Sequence, residues 1–182
     1  AYNWSKKNKL QTVIEINAKV ETNNVLDFVQ MCEAKHNRML VELGNNIEQD
    51  IENIRLIAIA GPSSSGKTTF CNRVRIELLS RGINPVMISM DDYYLEKEKI
   101  SEIQNKPIDQ LDLEHINCLD VDLFNKDLYD LINGEEVTLP RFNFQTGKRE
   151  VGRTIKVDSN SPIMIEGIHA LNEKLTASIP KH

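Results

Sequence analysis

The segment from Gly61 to Thr68 matches G-x-x-x-x-G-K-[ST], the residue types and spacing of a loop that binds phosphate. Small residues allow such a loop to wrap around a phosphate, with its backbone N–H groups at the positive end of the next helix. Lys67 would neutralise the outer phosphates of a nucleoside triphosphate, and the Thr68 hydroxyl would be available to Mg²⁺. The residues expected at the nucleotide are Gly61, Ser63, Ser64, Ser65, Gly66, Lys67, Thr68 and Thr69.

Three acidic residues follow predicted strands, at the strand ends where ligands bind in open α/β sheets. Asp91 and Asp92 follow a strand predicted over residues 86–89, and Glu166 follows one predicted over residues 163–165. Transfer of a phosphoryl group to an alcohol requires a metal ion and usually a carboxylate that accepts the proton. We therefore expect Thr68 and Glu166 to hold Mg²⁺, and one of the two aspartates to act as the base. Solvated surface positions for these acids are the alternative interpretation.

The elements around the loop have the order that a phosphate site requires. Residues 54–60 form a short apolar run, which predicts a parallel strand buried on both faces in the middle of a sheet. After the loop, apolar residues at helical spacing predict a helix that ends at Arg81-Gly82. A helix over residues 121–133 and a hairpin over residues 137–157 are predicted further along. This order favours a phosphate loop over a chance glycine-serine turn.

An amphipathic helical arm is predicted over residues 25–51, with an interruption near Gly44-Asn45-Asn46. Asn23 or Asn24 could cap its start by accepting a backbone hydrogen bond. The apolar face of the arm could pack against its own domain or against a second subunit. A homo-oligomer therefore stays open.

Composition excludes several classes of partner. The chain has 22 lysine and arginine residues against 27 aspartate and glutamate residues, a net charge of −5, which argues against a broad basic surface for nucleic acid. No apolar run reaches the roughly 18 to 20 residues of a membrane span, and no signal peptide is recognisable. Three separated cysteines without zinc-site spacing indicate reduced thiols. We therefore expect a cytoplasmic protein that contacts neither membrane nor nucleic acid.

Five separated blocks of sequence, taken together, resemble the phosphoribulokinase and uridine kinase family. The resemblance implies a P-loop kinase fold, an α/β architecture with a parallel sheet flanked by helices, which here carries the N-terminal helical arm. It also implies use of ATP and Mg²⁺ to phosphorylate a primary hydroxyl of a nucleoside or a sugar phosphate. The blocks are residues 61–69, 89–94, 113–115, 139–144 with Arg149, and 165–168.

The same resemblance implies roles for single residues. Asp91 would activate the acceptor hydroxyl, with Asp92 as the other candidate base, and Lys67 would act on the transferred phosphate. Glu114 resembles the acid that holds ribose hydroxyls. The residues implied at the acceptor are Tyr94, Glu114, His115, Phe142, Phe144 and Arg149.

Three positions depart from the family pattern at the acceptor. Glu114 replaces an aspartate, Phe142 a tyrosine, and Gly147 a histidine that faces the base. Each change removes or displaces a polar contact, and such contacts discriminate strongly between substrates. The expected acceptor is a nucleoside, uridine or cytidine. A sugar phosphate or other hydroxylated metabolite, or a regulatory module that binds ATP without transferring phosphate, stays open.

The resemblance also predicts a division of the chain. Residues 53–182 would be a P-loop kinase domain that is incomplete at its C-terminus, because the family continues with further strands and an arginine-bearing lid. Residues 1–52 would be the helical arm or the remnant of a preceding domain. The arm resembles the segment upstream of the kinase part in a bacterial subgroup of uridine kinase-like proteins.

Overall fold

The structure, a computed structural model, describes residues 2–21 and 25–175. The predicted caps Asn23 and Asn24, and residues 176–182, lie outside the described residues. The chain divides into two compact units, Ala1–Leu43 and Gly44–His182. The assignment of residues 1–52 to an arm or a preceding domain, and of residues 53–182 to a kinase domain, stays a prediction. None of the described helices is long and apolar enough to cross a membrane.

The first unit is helical and contains α1 (Tyr2–Lys7), α2 (Val13–Glu21) and most of α3 (Val25–Gln49). A capping box begins α2: the Glu15 amide donates to the Thr12 hydroxyl at 3.2 Å, and the Glu15 carboxylate accepts from the Thr12 amide at 3.0 Å. The Thr-x-x-Glu spacing was a readable signal for α2, although the periodicity of this region gives no clear pattern.

The predicted helical arm is confirmed, but the predicted interruption near Gly44 is wrong because α3 continues to Gln49. The glycine meets a packing requirement. A Cβ at position 44 would lie 2.6 Å from Arg81 Nε and 2.8 Å from Glu77 Cγ. The Arg81 guanidinium pairs there with Glu48 at 2.6 Å and with Glu77 at 2.7 Å. A glycine is therefore tolerated within the helix, where it leaves room for these ion pairs.

A parallel sheet forms the centre of the second unit, with β1 (Leu56–Ala60), β5 (Ile163–Gly167) and β2 (Val86–Ser89) in that spatial order. Leu56 and Val86 both lie beside Ile163, so the three strands run in register. All of β5 is buried, whereas β1 is mostly half-buried and forms an edge of the described sheet. Within the described residues, β1 is neither buried on both faces nor in the middle of the sheet, contrary to the prediction from the sequence, because an apolar run does not specify the order of strand pairing.

Helices and a hairpin surround this sheet. The predicted elements at residues 121–133 and 137–157 are confirmed. Phe124, Leu128 and Leu131, which are buried on the helix Val121–Ile132, share a core with Leu139 of the hairpin and Ile165 of the sheet. The remaining elements are α4 (Lys67–Ser80), α5 (Lys97–Gln104), α6 (Val121–Ile132), β3 (Glu136–Asn143) and β4 (Lys148–Lys156), the last two paired antiparallel.

Candidate active site

The glycine-rich segment connects β1 to α4, and its backbone requires glycine at two places. Gly66 has a positive φ of 85°, in the left-handed region that favours glycine. A Cβ on Gly61 would lie 2.8 Å from Ser65 Oγ and 3.1 Å from Lys67 Cγ. Lys67 is the first residue of α4, and its ammonium donates to the Pro62 carbonyl at 3.0 Å. The lysine therefore lies across the loop at the positive end of the helix.

Glu166 is a buried carboxylate, 7% exposed, at the carboxyl end of the central strand. Thr68 Oγ1 lies 3.2 Å from each of its carboxylate oxygens, and Ser89 Oγ donates to Oε1 at 3.3 Å. The register brings these residues together, because Ser89 lies beside Glu166 on the neighbouring strand. Thr68 and Glu166 are predicted by the sequence, whereas Ser89 is not, although its place at the end of β2 is a signal for it.

The charge of Glu166 affects its neighbours. Burial, followed by the charge of Glu166, raises the pKa of the Cys71 thiol to about 11. This cluster fits Mg²⁺, which binds through one or two carboxylates and completes its shell with substrate phosphates and water. In the described ranges, no three or more His, Cys, Asp or Glu residues form a metal cage of their own. Thr68 and Glu166 are therefore the residues that could hold the ion.

Asp91 and Asp92 lie in a short 3₁₀ helix, Met90–Tyr93, that follows β2. Gly167 brings this turn close to the end of β5, since a Cβ on Gly167 would lie 2.8 Å from Met90 Cβ. Burial and then the charge of Glu166 raise the pKa of Asp91, while the ammonium of Lys67 acts in the opposite direction. Asp91 thus lies within electrostatic reach of both the P-loop lysine and the buried carboxylate.

Asp92 makes a different contact, because its Oδ1 accepts a hydrogen bond from the Phe142 amide at 3.2 Å. It connects the Met90–Tyr93 turn to the hairpin. The sequence offered Asp91 and Asp92 as candidate bases, and the structure separates their environments. The assignment of the base to Asp91 stays a prediction.

Tyr94, Phe142 and Phe144 form one aromatic cluster, although they come from two distant parts of the chain. The Phe142 and Phe144 ring centroids are 5.0 Å apart, and those of Tyr94 and Phe142 are 5.8 Å apart. The Phe144 side chain is 67% exposed, so it offers a ring surface to solvent. Burial, followed by the charges of Asp91, Cys118 and Glu114, raises the pKa of Tyr94 to about 12. Tyr94 therefore lies within electrostatic reach of both Asp91 and Glu114.

The other residues expected at the acceptor are held in more structural contacts. His115 caps a short 3₁₀ helix, with Nδ1 accepting from the Asn117 amide at 3.1 Å. Arg149 pairs with Asp120 at 2.9 Å and donates to the carbonyls of Tyr93 and Tyr94 at 3.3 and 3.2 Å. These bonds connect the hairpin to the aspartate-bearing turn. Direct contact of His115 or Arg149 with an acceptor stays a prediction.

Comparison with known proteins identifies the family of this chain. The sequence model of the Phosphoribulokinase / Uridine kinase family matches residues 56–180. The chain belongs to this family. The match includes the P-loop, the aspartate-bearing turn, the hairpin and β5.

Curated relatives of this family member carry more than one name. The chain is 28% identical to a uridine kinase of Ureaplasma parvum over 68% of its own length and 58% of the relative. It is 33% identical to uridine-cytidine kinase A of Dictyostelium discoideum, over 69% of the chain and 23% of that protein. It is also 35% identical to the inorganic pyrophosphatase TTM2 of Arabidopsis thaliana, over 71% of the chain and 17% of the relative.

Solved structures share the family's fold. A Bacillus stearothermophilus protein described as a possible uridine kinase superposes with a TM-score of 0.61 at 23% identity, over 78% of this chain and 77% of that one. A Silicibacter sp. TM1040 protein provisionally described as a fructose transport system kinase superposes with a TM-score of 0.60 at 21% identity, over 76% and 70%. The predicted P-loop kinase fold, a parallel sheet flanked by helices, is confirmed.

Proposed function

We propose that the protein is an ATP-dependent kinase of the uridine kinase type, which transfers the γ-phosphate of ATP to a primary hydroxyl of a nucleoside. The observation that carries the proposal is the buried Glu166 carboxylate, 3.2 Å from the Thr68 hydroxyl of the P-loop. Burial, and then the negative charge of Glu166, raises the pKa of Asp91. A metal-binding acid, a phosphate loop and a candidate base therefore converge at one edge of the sheet.

The P-loop would bind the phosphates of ATP through its backbone N–H groups and the N-terminus of α4. Lys67 begins that helix and lies over the loop, where its charge would offset the charge of the outer phosphates. Bound Mg²⁺, held by Thr68 and Glu166, would supply charge neutralisation and orientation of the phosphates. Ser89 donates to Glu166 and orients that carboxylate.

Asp91 would accept the proton of the acceptor hydroxyl. As the hydroxyl oxygen bonds to the γ-phosphorus, the bond from that phosphorus to the β–γ bridging oxygen breaks, and ADP leaves. A carboxylate with a raised pKa is a stronger base than an ordinary aspartate, provided that it is ionised at the working pH. Burial and Glu166 supply that increase in pKa for Asp91.

The acceptor site combines an aromatic surface with an acid. Tyr94, Phe142 and Phe144 would pack against a planar base, and the exposed Glu114 would accept hydrogen bonds from ribose hydroxyls. Gly147 occupies the hairpin turn with a positive φ of 68°, so the turn itself favours glycine where the family pattern has a histidine. Without a polar side chain at this position, we expect weak discrimination between bases.

One observation favours a phosphorylated acceptor as the second candidate. A cavity of about 490 Å³ between β2 and the hairpin is lined by Ser89 and Asp92 and also by two cationic side chains, Arg141 and Arg153. Arginine recognises phosphate through paired N–H donors. A sugar phosphate could place its phosphate there and its hydroxyl toward the aspartates. An ATP-binding regulatory module is the remaining alternative.

The deciding experiment incubates the protein with labelled Mg-ATP and uridine, cytidine, purine nucleosides or ribulose 5-phosphate in turn. A phosphorylated nucleoside, absent with Asp91→Asn, supports the proposal, whereas product from the sugar phosphate alone supports the second candidate. ATP binding without any product would favour the regulatory module. Lys67→Ala serves as the binding control, and undiminished ATP affinity in that variant would refute the role of the P-loop.

A further inference from the structure

His169, just beyond the end of β5, contacts residues 112–118, the segment that carries Glu114 and is called the acceptor segment below. It lies in the turn immediately after β5, and its Nε2 is 2.8 Å from the Glu114 carbonyl oxygen, 55 positions away in sequence. Since a carbonyl can only accept, Nε2 carries the hydrogen in this bond. None of the sequence motifs includes this histidine. Its bond connects the strand that ends in Glu166 to the segment that carries Glu114.

The neighbouring carbonyl is held in the same way from another strand. The Tyr94 hydroxyl, beyond the end of β2, donates to the Leu113 carbonyl at 3.1 Å. Two consecutive carbonyls of the acceptor segment are thus bound by side chains that follow two adjacent strands of the sheet. Of these strands, β2 precedes the turn that carries Asp91, and β5 contains Glu166. The segment is therefore fixed to the elements that carry the candidate base and the candidate metal ligand.

Further hydrogen bonds hold the segment, both within it and to Gln104 at the end of α5. The Glu114 amide donates to Asp112 Oδ1 at 3.1 Å, and the Asp112 amide donates to Gln104 Oε1 at 2.9 Å. The Cys118 amide donates to the His115 carbonyl at 2.9 Å. A contact at the Glu114 carbonyl consequently positions the residues on both sides of it. The Glu114 side chain, by contrast, is exposed.

We propose that His169 is a positioning residue for the phosphate acceptor, which fixes the Glu114 backbone so that the carboxylate meets the acceptor at a set distance from Asp91 and Glu166. The effect of His169 on acceptor binding rests on the proposed function, whereas its hydrogen bond to the Glu114 carbonyl is present in the structure. A side chain that contacts Glu114 through its backbone affects acceptor binding while leaving the P-loop unchanged.

The test compares His169→Ala with His169→Gln, whose amide N–H can replace the Nε2 donor. Loss of one hydrogen bond corresponds to a change of about five- to tenfold in binding. We expect His169→Ala to raise the KM for the acceptor by about that factor and to leave the KM for ATP within about twofold of the parent value. His169→Gln should restore the acceptor KM. Equal increases in both KM values, or no rescue by glutamine, would overturn the proposal.

Amide hydrogen exchange provides a readout that does not depend on turnover. His169→Ala should accelerate exchange of the amides in residues 113–118, with the amides of α4 unchanged, and His169→Gln should restore the parent rate. Unchanged exchange in residues 113–118 would show that the hydrogen bond from His169 to Glu114 does not hold this segment. If the parent phosphorylates no acceptor while the exchange changes as expected, the proposed function fails, but the structural role of His169 is supported.

Discussion

Thr68 Oγ1 lies 3.2 Å from both carboxylate oxygens of Glu166, although 98 positions separate the two residues. The contact follows from parallel pairing of β1 with β5, which places the start of α4 beside the end of the central strand. A hydroxyl and a buried carboxylate at this place are ligands that Mg²⁺ accepts. Because of this pair, we expect activity to require Mg²⁺.

Glu166→Gln should weaken the response to Mg²⁺. The amide keeps the size of the side chain and can still accept from Thr68 and Ser89, but it removes the negative charge. We expect the Mg²⁺ concentration for half-maximal turnover to rise by at least about tenfold, since changing only the partners of a metal ligand typically costs about 10- to 100-fold in affinity or activity. Turnover against Mg²⁺ concentration measures this. The exposed Glu98→Gln is the matched control, and an equal shift in that variant would refute the assignment.

Asp91→Asn and Asp92→Asn should differ in effect. Burial and then the charge of Glu166 raise the pKa of Asp91. Asp92 accepts a hydrogen bond from the Phe142 amide, which the oxygen of an asparagine can also accept. Removal of a general base typically costs about 10² to 10⁴ in rate. We expect a loss of that size in kcat for Asp91→Asn with ATP affinity retained, and near-parent kcat for Asp92→Asn. The opposite result would assign the role of general base to Asp92.

The activity should rise with pH through the pKa of Asp91. Burial and Glu166 favour the protonated acid, so its folded-state pKa lies above the ordinary value of 3.8. Because the base must be ionised, the acid limb of kcat/KM should lie above that value. Glu166→Gln removes a cause of the increase and should move the limb toward lower pH in the residual activity. An unmoved limb in this variant would show that another group controls the profile.

Sequence periodicity and motif spacing were sufficient for the elements that carry the site. The P-loop residues are adjacent in sequence, and the acids lie at strand ends that hydrophobic patterning identifies. Pairing order was not accessible, because strands of similar apolar character compete for the central position that β5 occupies. The environment of each aspartate was also inaccessible. It depends on Gly167 and on the Phe142 amide, which lie 76 and 50 positions from Asp91 and Asp92 respectively.

Gly167→Ala should slow turnover by displacing the Met90–Tyr93 turn. The added Cβ would lie 2.8 Å from Met90 Cβ and 2.9 Å from its sulfur, closer than normal packing permits. The sulfur could move, but the Cβ moves only with the backbone that positions Asp91. A misplacement of about 1 Å can cost roughly a hundredfold in rate. Single-turnover kinetics should show slower chemistry with unchanged ATP affinity, and a parent-like rate would show that the close approach is dispensable.

The buried pair of Tyr93 and Asp127 should contribute to stability and to its pH dependence. The Tyr93 hydroxyl donates to Asp127 Oδ2 at 3.1 Å, which connects the Met90–Tyr93 turn to α6. Asp127→Ala leaves a buried hydroxyl without its acceptor and should lower the free energy of unfolding by about 1–3 kcal/mol. Asp127→Asn keeps an acceptor oxygen and should cost less. Chemical denaturation at neutral pH measures both.

Burial is the main cause that raises the pKa of Asp127 above the ordinary value of 3.8. The folded state therefore binds a proton more tightly than the unfolded state, and this contribution to stability falls as pH rises from about 4 through the raised pKa. Asp127→Asn removes the titrating group, so its unfolding free energy should fall less than that of the parent across this window. A parallel pH dependence in parent and variant would assign the effect to another carboxyl group.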